Sequence, residues 1–288
     1  MTAHVAERGE GRGRVVLRLM GTVPSSDVAI EAAIRIAKAY HSEIESVVVA
    51  DRQIFDAAGY AFAREICVAR PSAAPVAATV IARQIELAAR SLQRHVELLA
   101  GRAEVPVLAR LVEDTPVGAL ASACQMSGPW NVVALGEVAT GDWLRRLDVL
   151  FERVTGMTGV LLAGPRSRIA EGPVVAVIED IDRLTGMLRA AERIARVTAS
   201  DIVLAVVAET RSMQAWIEDQ IRLATGSAAE TVVVALGRPG GGIAVAAEAL
   251  RLLHAGFVIA EHGGILVPHE GDASALLAAV ECPLLVVR

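Results

Sequence analysis

Three stretches of this 288-residue chain hold side chains whose types and spacing could recognise a ligand. Gly21-Thr22 and Glu179-Asp180 each stand where an apolar run gives way to a helical pattern, the place at which doubly wound sheets open a crevice for ligands. The same residues also build ordinary turns and helix caps, and that is the preferred reading of both pairs. Arg238-Pro239-Gly240-Gly241-Gly242, ahead of another helical pattern, offers backbone amides and a counter-charge to an anion. A flexible strand-to-helix loop is preferred there. His262 and His269 flank a Gly-Gly turn near Glu261 and Glu270, but no three-ligand spacing on one element supports a metal, and none is expected.

Nucleophilic chemistry is poorly supplied. Ser25-Ser26-Asp27 lacks the Gly-x-Ser-x-Gly setting of a nucleophile elbow and has no evident His partner. No catalytic residues are assigned, and the chain is not expected to be an enzyme. Cys67, Cys124 and Cys282 are odd in number and show no CxxC or Cys/His spacing, which argues against a disulfide framework and points to a reducing, cytoplasmic setting. Cys124 reads as a small buried hydrophobe, and His41, His95 and His254 as partly exposed polar positions on or beside helices.

The elements that would position these residues recur. Arg14 to Thr22 followed by a helix from Asp27 has the same shape as Pro173 to Asp180 followed by a helix from Asp182, so the chain reads as two copies of one plan. The first copy predicts strands at 15–20, 47–50, 105–112, 131–136 and 159–163, with helices at 27–40, 76–100, 116–126 and 143–154. Gly101 is expected as a left-handed cap, and 51–75 as a long irregular connection with room for a short helix. The second predicts strands at 174–178, 202–207, 231–236, 257–260 and 284–287, with helices between them. Repeated βα units require crossover helices, hence an α/β fold of two tandem doubly wound parallel sheets, over residues 14–164 and 172–288 with a linker between.

Composition sets the limits. Hydrophobic residues at 53% against 21% charged exclude wholesale disorder and fit a well-packed α/β protein. A net charge of −5 argues against nucleic acid or an anionic membrane as partner. The long uncharged stretch 115–136 is interrupted by Ser127, Gly128 and Pro129, so it reads as helix, turn and strand rather than a membrane span.

The closing Glu281-Cys282-Pro283-Leu284-Leu285-Val286-Val287-Arg288 resembles the universal stress protein family, whose domains end on a similar strand. Val112 to Leu120 and Asn131 to Gly136 are similar to its third-strand exit and fourth strand, and Gly237 to Ile243 and Gly256 to Ala260 take those places in the second copy. The resemblance implies an adenine nucleotide alpha hydrolase-like fold and, in ATP-binding members, an acid ending the first strand with a glycine-rich loop after the fourth. Here Met20 stands at the acid position of the first copy; Gly136 is kept, Ala139 replaces the second glycine, and no glycine falls near Arg146 to Leu150. In the second copy Glu179 supplies the acid and Gly263-Gly264 one glycine, while Glu261 replaces the first and Asp272 follows Gly271. The site implied is therefore Glu179, Gly263 and Gly264, with remnants at Gly21, Thr22 and Gly136. No cofactor is expected, and ATP or another adenine nucleotide is the alternative. Partners implied are a small molecule, a protein or a second copy in a homodimer, and the closing strands 160–163 and 284–287 are expected to pair.

Overall fold

Val174–Ile178 is apolar at every position because both faces of the strand are covered, and all five residues are buried. The computed structural model in which it lies describes residues 13–20, 25–60, 62–66, 73–75, 77–126, 128, 130–140, 146–225, 231–269 and 274–288. Gly21, Thr22, Cys67, Glu270, Gly271 and Asp272 fall outside the described residues. In the first half the elements are β1 (Arg14–Met20), α1 (Asp27–Ala39), β2 (Ile44–Asp51), α2 (Arg52–Ala58), β3 (Arg64–Ile66), β4 (Ala73–Pro75), α3 (Ala78–Arg102), β5 (Val107–Asp114), α4 (Pro116–Gln125), β6 (Asn131–Leu135), α5 (Leu147–Arg153) and β7 (Met157–Leu162). In the second they are β8 (Val174–Ile178), a 3-10 turn (Ile181–Arg183), α6 (Leu184–Thr198), β9 (Ile202–Val206), α7 (Arg211–Thr225), β10 (Thr231–Ala235), α8 (Gly242–Leu252), β11 (Phe257–Glu261), α9 (Ser274–Ala279) and β12 (Leu284–Val287).

Ten strands join in one sheet, ordered β10-β9-β8-β11-β12-β7-β6-β1-β2-β5. Read outward from β7 and β12, each half places its five strands in the same order. Neighbours are parallel except at the centre, where β7 and β12 run antiparallel and pair Leu162 with Leu284, Leu161 with Leu285, Val160 with Val286 and Gly159 with Val287. The closing strands thus pair as expected, within one chain and in one continuous sheet. The connection is pinned to the second half: Ser167 Oγ donates to the Cys282 carbonyl at 3.0 Å, and Arg168 N–H to the Glu281 carbonyl at 2.9 Å.

Helices cover both faces. One core gathers Val16, Val133, Val175 and Val258 under α4, α5, α8 and α9; the other gathers Leu17, Ala134, Ala176 and Ile259 under α1, α3, α6 and α7. The helix starts follow local chemistry. Ser26 Oγ accepts the Ala29 amide, Thr115 Oγ1 accepts the Gly118 amide, and Pro116 sits in the first turn where its missing N–H costs nothing.

Two expectations change, and a third region gains detail. β2 begins at Ile44 rather than Val47, because buried Glu45 and Ser46 belong to the strand and Glu45 is held by Arg14 and Arg110 from β1 and β5. Gly101 stays inside α3, and the left-handed position falls to Glu104, φ 58°. The 51–75 connection carries α2, capped by Asp51, and the small antiparallel pair β3–β4.

Candidate functional site

Each half has a point where the connections leave neighbouring parallel strands in opposite directions: between β1 and β6, and between β8 and β11. Strand register puts the two in correspondence. Val15 pairs with Val132 as Val174 pairs with Phe257, so Met20 matches Glu179, Gly136 matches Glu261 and Glu137 matches His262.

In the first crevice the described groups pair with one another. Arg18, 2% exposed, lies in ion-pair contact with buried Glu137, and burial lowers its pKa to about 10, with Arg146 adding repulsion. Gly136 has both backbone groups engaged: its amide donates to the Arg18 carbonyl at 2.8 Å, and its carbonyl accepts the Ser26 amide at 2.6 Å. A β-carbon at Gly136 would come within 2.3 Å of Leu19, so glycine serves close packing here. Ser25 bridges to Glu137 and closes the end of the strand pair.

The second crevice is open, a cleft of about 780 Å³ at the ends of β8, β9 and β11. Glu179, Gly263 and Gly264 come together there, as the sequence places them. Yet the Glu179 carboxylate already accepts the loop's amides, from Ile265 in a short contact and from Leu266 at 3.2 Å. The Gly263 amide is taken by the Val267 carbonyl at 2.7 Å. A β-carbon on Gly264 would meet Glu179 Oε2 at 2.5 Å, and one on Gly263, at φ +88°, would meet His269 Nε2 at 2.4 Å. The glycines therefore admit a carboxylate and an imidazole of the chain's own. Burial raises the Glu179 pKa against the pull of those two amides. Burial, then the nearby Glu179, pushes Glu261 up to about 7, with Asp180 adding to the rise and Arg183 opposing it.

His262 and His269 both line this cleft, and Asp148 from α5 meets them there, a grouping that sequence reasoning missed. Burial lowers the His262 pKa, and Asp148 opposes the shift. Arg238 to Gly242 lines an adjoining recess with Glu209 and Gln214, and Gly240 and Gly242 adopt positive φ. Cys124 and Cys282 are buried free thiols, each pushed up to about 12 by burial. Among the described residues no helix is long and apolar enough to cross a membrane.

No protein-family model and no curated protein sequence matches the chain. Solved structures do. A universal stress protein from Archaeoglobus fulgidus DSM 4304 superposes with a TM-score of 0.63 at 11% identity, covering 95% of this chain and 96% of its own. A structure described as a putative universal stress protein from Pseudomonas aeruginosa UCBPP-PA14 gives 0.58 at 12% identity, covering 95% and 92%. The cytoplasmic domain of a prokaryotic cation chloride cotransporter gives 0.53 at 10% identity, covering 96% and 95%. At such identities the likeness is one of architecture: the chain has the universal stress protein fold over nearly its whole length.

Proposed function

We infer that this chain is a noncatalytic binding module of the universal stress protein type, built from two copies of one domain over 14–164 and 172–288, with a stress-response or regulatory role in the cytoplasm. The observation that carries this reading is Glu179. In an anion site the loop amides wait for phosphate, whereas here a carboxylate of the chain holds two of them. Glu261, its pKa pushed up to about 7, adds a second acid beside the same cleft, and each ionised carboxylate next to a phosphate costs about 1 kcal/mol or more. ATP is thereby disfavoured, and a neutral ligand such as adenosine suits the cleft better. The same architecture also occurs as the cytoplasmic domain of a prokaryotic cation chloride cotransporter.

The alternative is an adenine-nucleotide-binding protein with weak ATPase or phosphotransfer activity. Calorimetry with ATP, AMP and adenosine separates the two. Adenosine should bind more tightly than AMP, and ATP should give no saturable heat up to about 1 mM. Micromolar ATP binding with phosphate release would overturn the noncatalytic reading.

A further inference from the structure

Asp148 lies in the first half, and His262 and His269 in the second, yet the three converge. Asp148 Oδ1 stands 2.9 Å from His262 Nε2 and 3.4 Å from His269 Nδ1, and one ligand atom from each residue lies within 4.8 Å of the others. A tetrahedral cation with bonds of about 2.0–2.2 Å to nitrogen and oxygen holds neighbouring donors ~3.3 Å apart. The two Asp–His separations already stand near that spacing, and the third lies within 4.8 Å.

A second imidazole beside the Asp148–His262 contact goes beyond an ordinary Asp–His pair. The His262 side chain is only 5% exposed, and its Nε2, although near Asp148, has no hydrogen-bond partner among the described residues. A buried ring nitrogen left in that state is costly unless something else satisfies it. Phe151 packs on one side of the imidazole, ring centroids 4.5 Å apart, and His269 meets it edge-on at 4.6 Å. His269 is itself 69% exposed, so the group opens to solvent on that side. Gly263 lets the second imidazole sit there, because any β-carbon at that position would collide with it.

We propose that Asp148, His262 and His269 bind one divalent cation of the zinc class, with the fourth coordination position open to the cleft. Two imidazoles and one carboxylate suit zinc, cobalt or nickel and are poor for calcium or magnesium, which take oxygen donors. Three protein ligands with an open position are the pattern of a site that also meets an exogenous ligand, unlike a closed four-ligand structural site. The ion would join α5 to the loop after β11, across the two halves.

The test uses the full chain stripped of metal with a chelator. Zn²⁺ is titrated against a chromophoric competitor, and Co²⁺ is followed by visible absorption. One ion per chain is expected, with the intense bands of tetrahedral Co²⁺, and His269→Ala and Asp148→Asn should each weaken binding at least ~30-fold. Because His269 is exposed, His269→Ala should fold normally, which the metal-free melting midpoint and circular dichroism check. Zn²⁺ should raise the midpoint of the unsubstituted chain and leave that of the variants unchanged. Failure of the unsubstituted chain to bind an ion, weak octahedral Co²⁺ bands, or variants that bind as tightly as the unsubstituted chain would each overturn the site.

Discussion

The crevices of the two halves occupy matching positions in one sheet, and the chain closes them in different ways. Between β1 and β6 it inserts a buried Arg18–Glu137 pair and lays Ser25 and Ser26 across the strand ends. Between β8 and β11 it keeps the cleft and places Glu179 on the loop amides. Charge explains the contrast. Glu137 meets a guanidinium and can be sealed, whereas Glu261 faces Glu179 and Asp180 with only Arg183 opposing them. Both acids are buried, 6% and 8% exposed, so the unpaired Glu261 keeps its proton up to about pH 7, whereas Glu137 stays beside its cation.

The comparison presumes that both crevices belong to one cooperative sheet, and β7–β12 is where that can be broken. Leu161 and Leu285 face each other in the antiparallel pair, each 1% exposed. Leu285→Asp would place an unpaired carboxylate in that seam, at a cost of more than about 4 kcal/mol, and both halves should lose structure in a single transition. Melting is read by circular dichroism and by the fluorescence of Trp130 and Trp216, which lie in different halves. A second half that unfolds while the first melts as before would show that the sheet is not one unit.

A smaller loss tests the sealed crevice. Glu137→Ala removes the carboxylate partner of buried Arg18 and should cost about 3–5 kcal/mol, while Arg18→Met with Glu137→Leu should recover most of it by replacing the pair with apolar volume. Denaturant midpoints check both. If Glu137→Ala is neutral, the pair does not hold the first crevice shut.

How far sequence reached depends on whether the deciding contacts are local. β8 and β12 were legible because strands covered on both faces read as unbroken apolar runs. β2 was cut short because Glu45 and Ser46 look like loop residues, and the arginines that make Glu45 burial tolerable lie on other strands. The convergence of Glu179 with Gly263 and Gly264 was implied by the family resemblance, which places an acid at the end of the first strand and a glycine-rich loop after the fourth. That Glu179 would hold the loop amides did not, since the fold of 263–267 decides it. Asp148 was missed for the same reason: no spacing rule links it to histidines more than 110 residues away in the other half.

The mildest effect probes the open crevice directly. Glu261 is 8% exposed, its Oε1 has no hydrogen-bond partner among the described residues, and Glu179, Asp180 and Arg183 are the charged groups acting on it, with His262 next in the chain. Its folded pKa of about 7 lies above the ordinary 4.5. Between those values the folded chain keeps a proton that the unfolded chain has released, so this group's favourable share is whole below about pH 4.5 and lost as pH rises through 7. Glu261→Gln never ionises. Its stability relative to the unsubstituted chain should therefore be near zero at pH 4.5, grow across the interval and level off above pH 7 at a gain of about 1–3 kcal/mol. Denaturant midpoints at pH 4.5, 6 and 8 follow it. A gain independent of pH would mean that Glu261 does not carry the strain of this cleft, and the contrast with the paired Glu137 would lose its electrostatic basis.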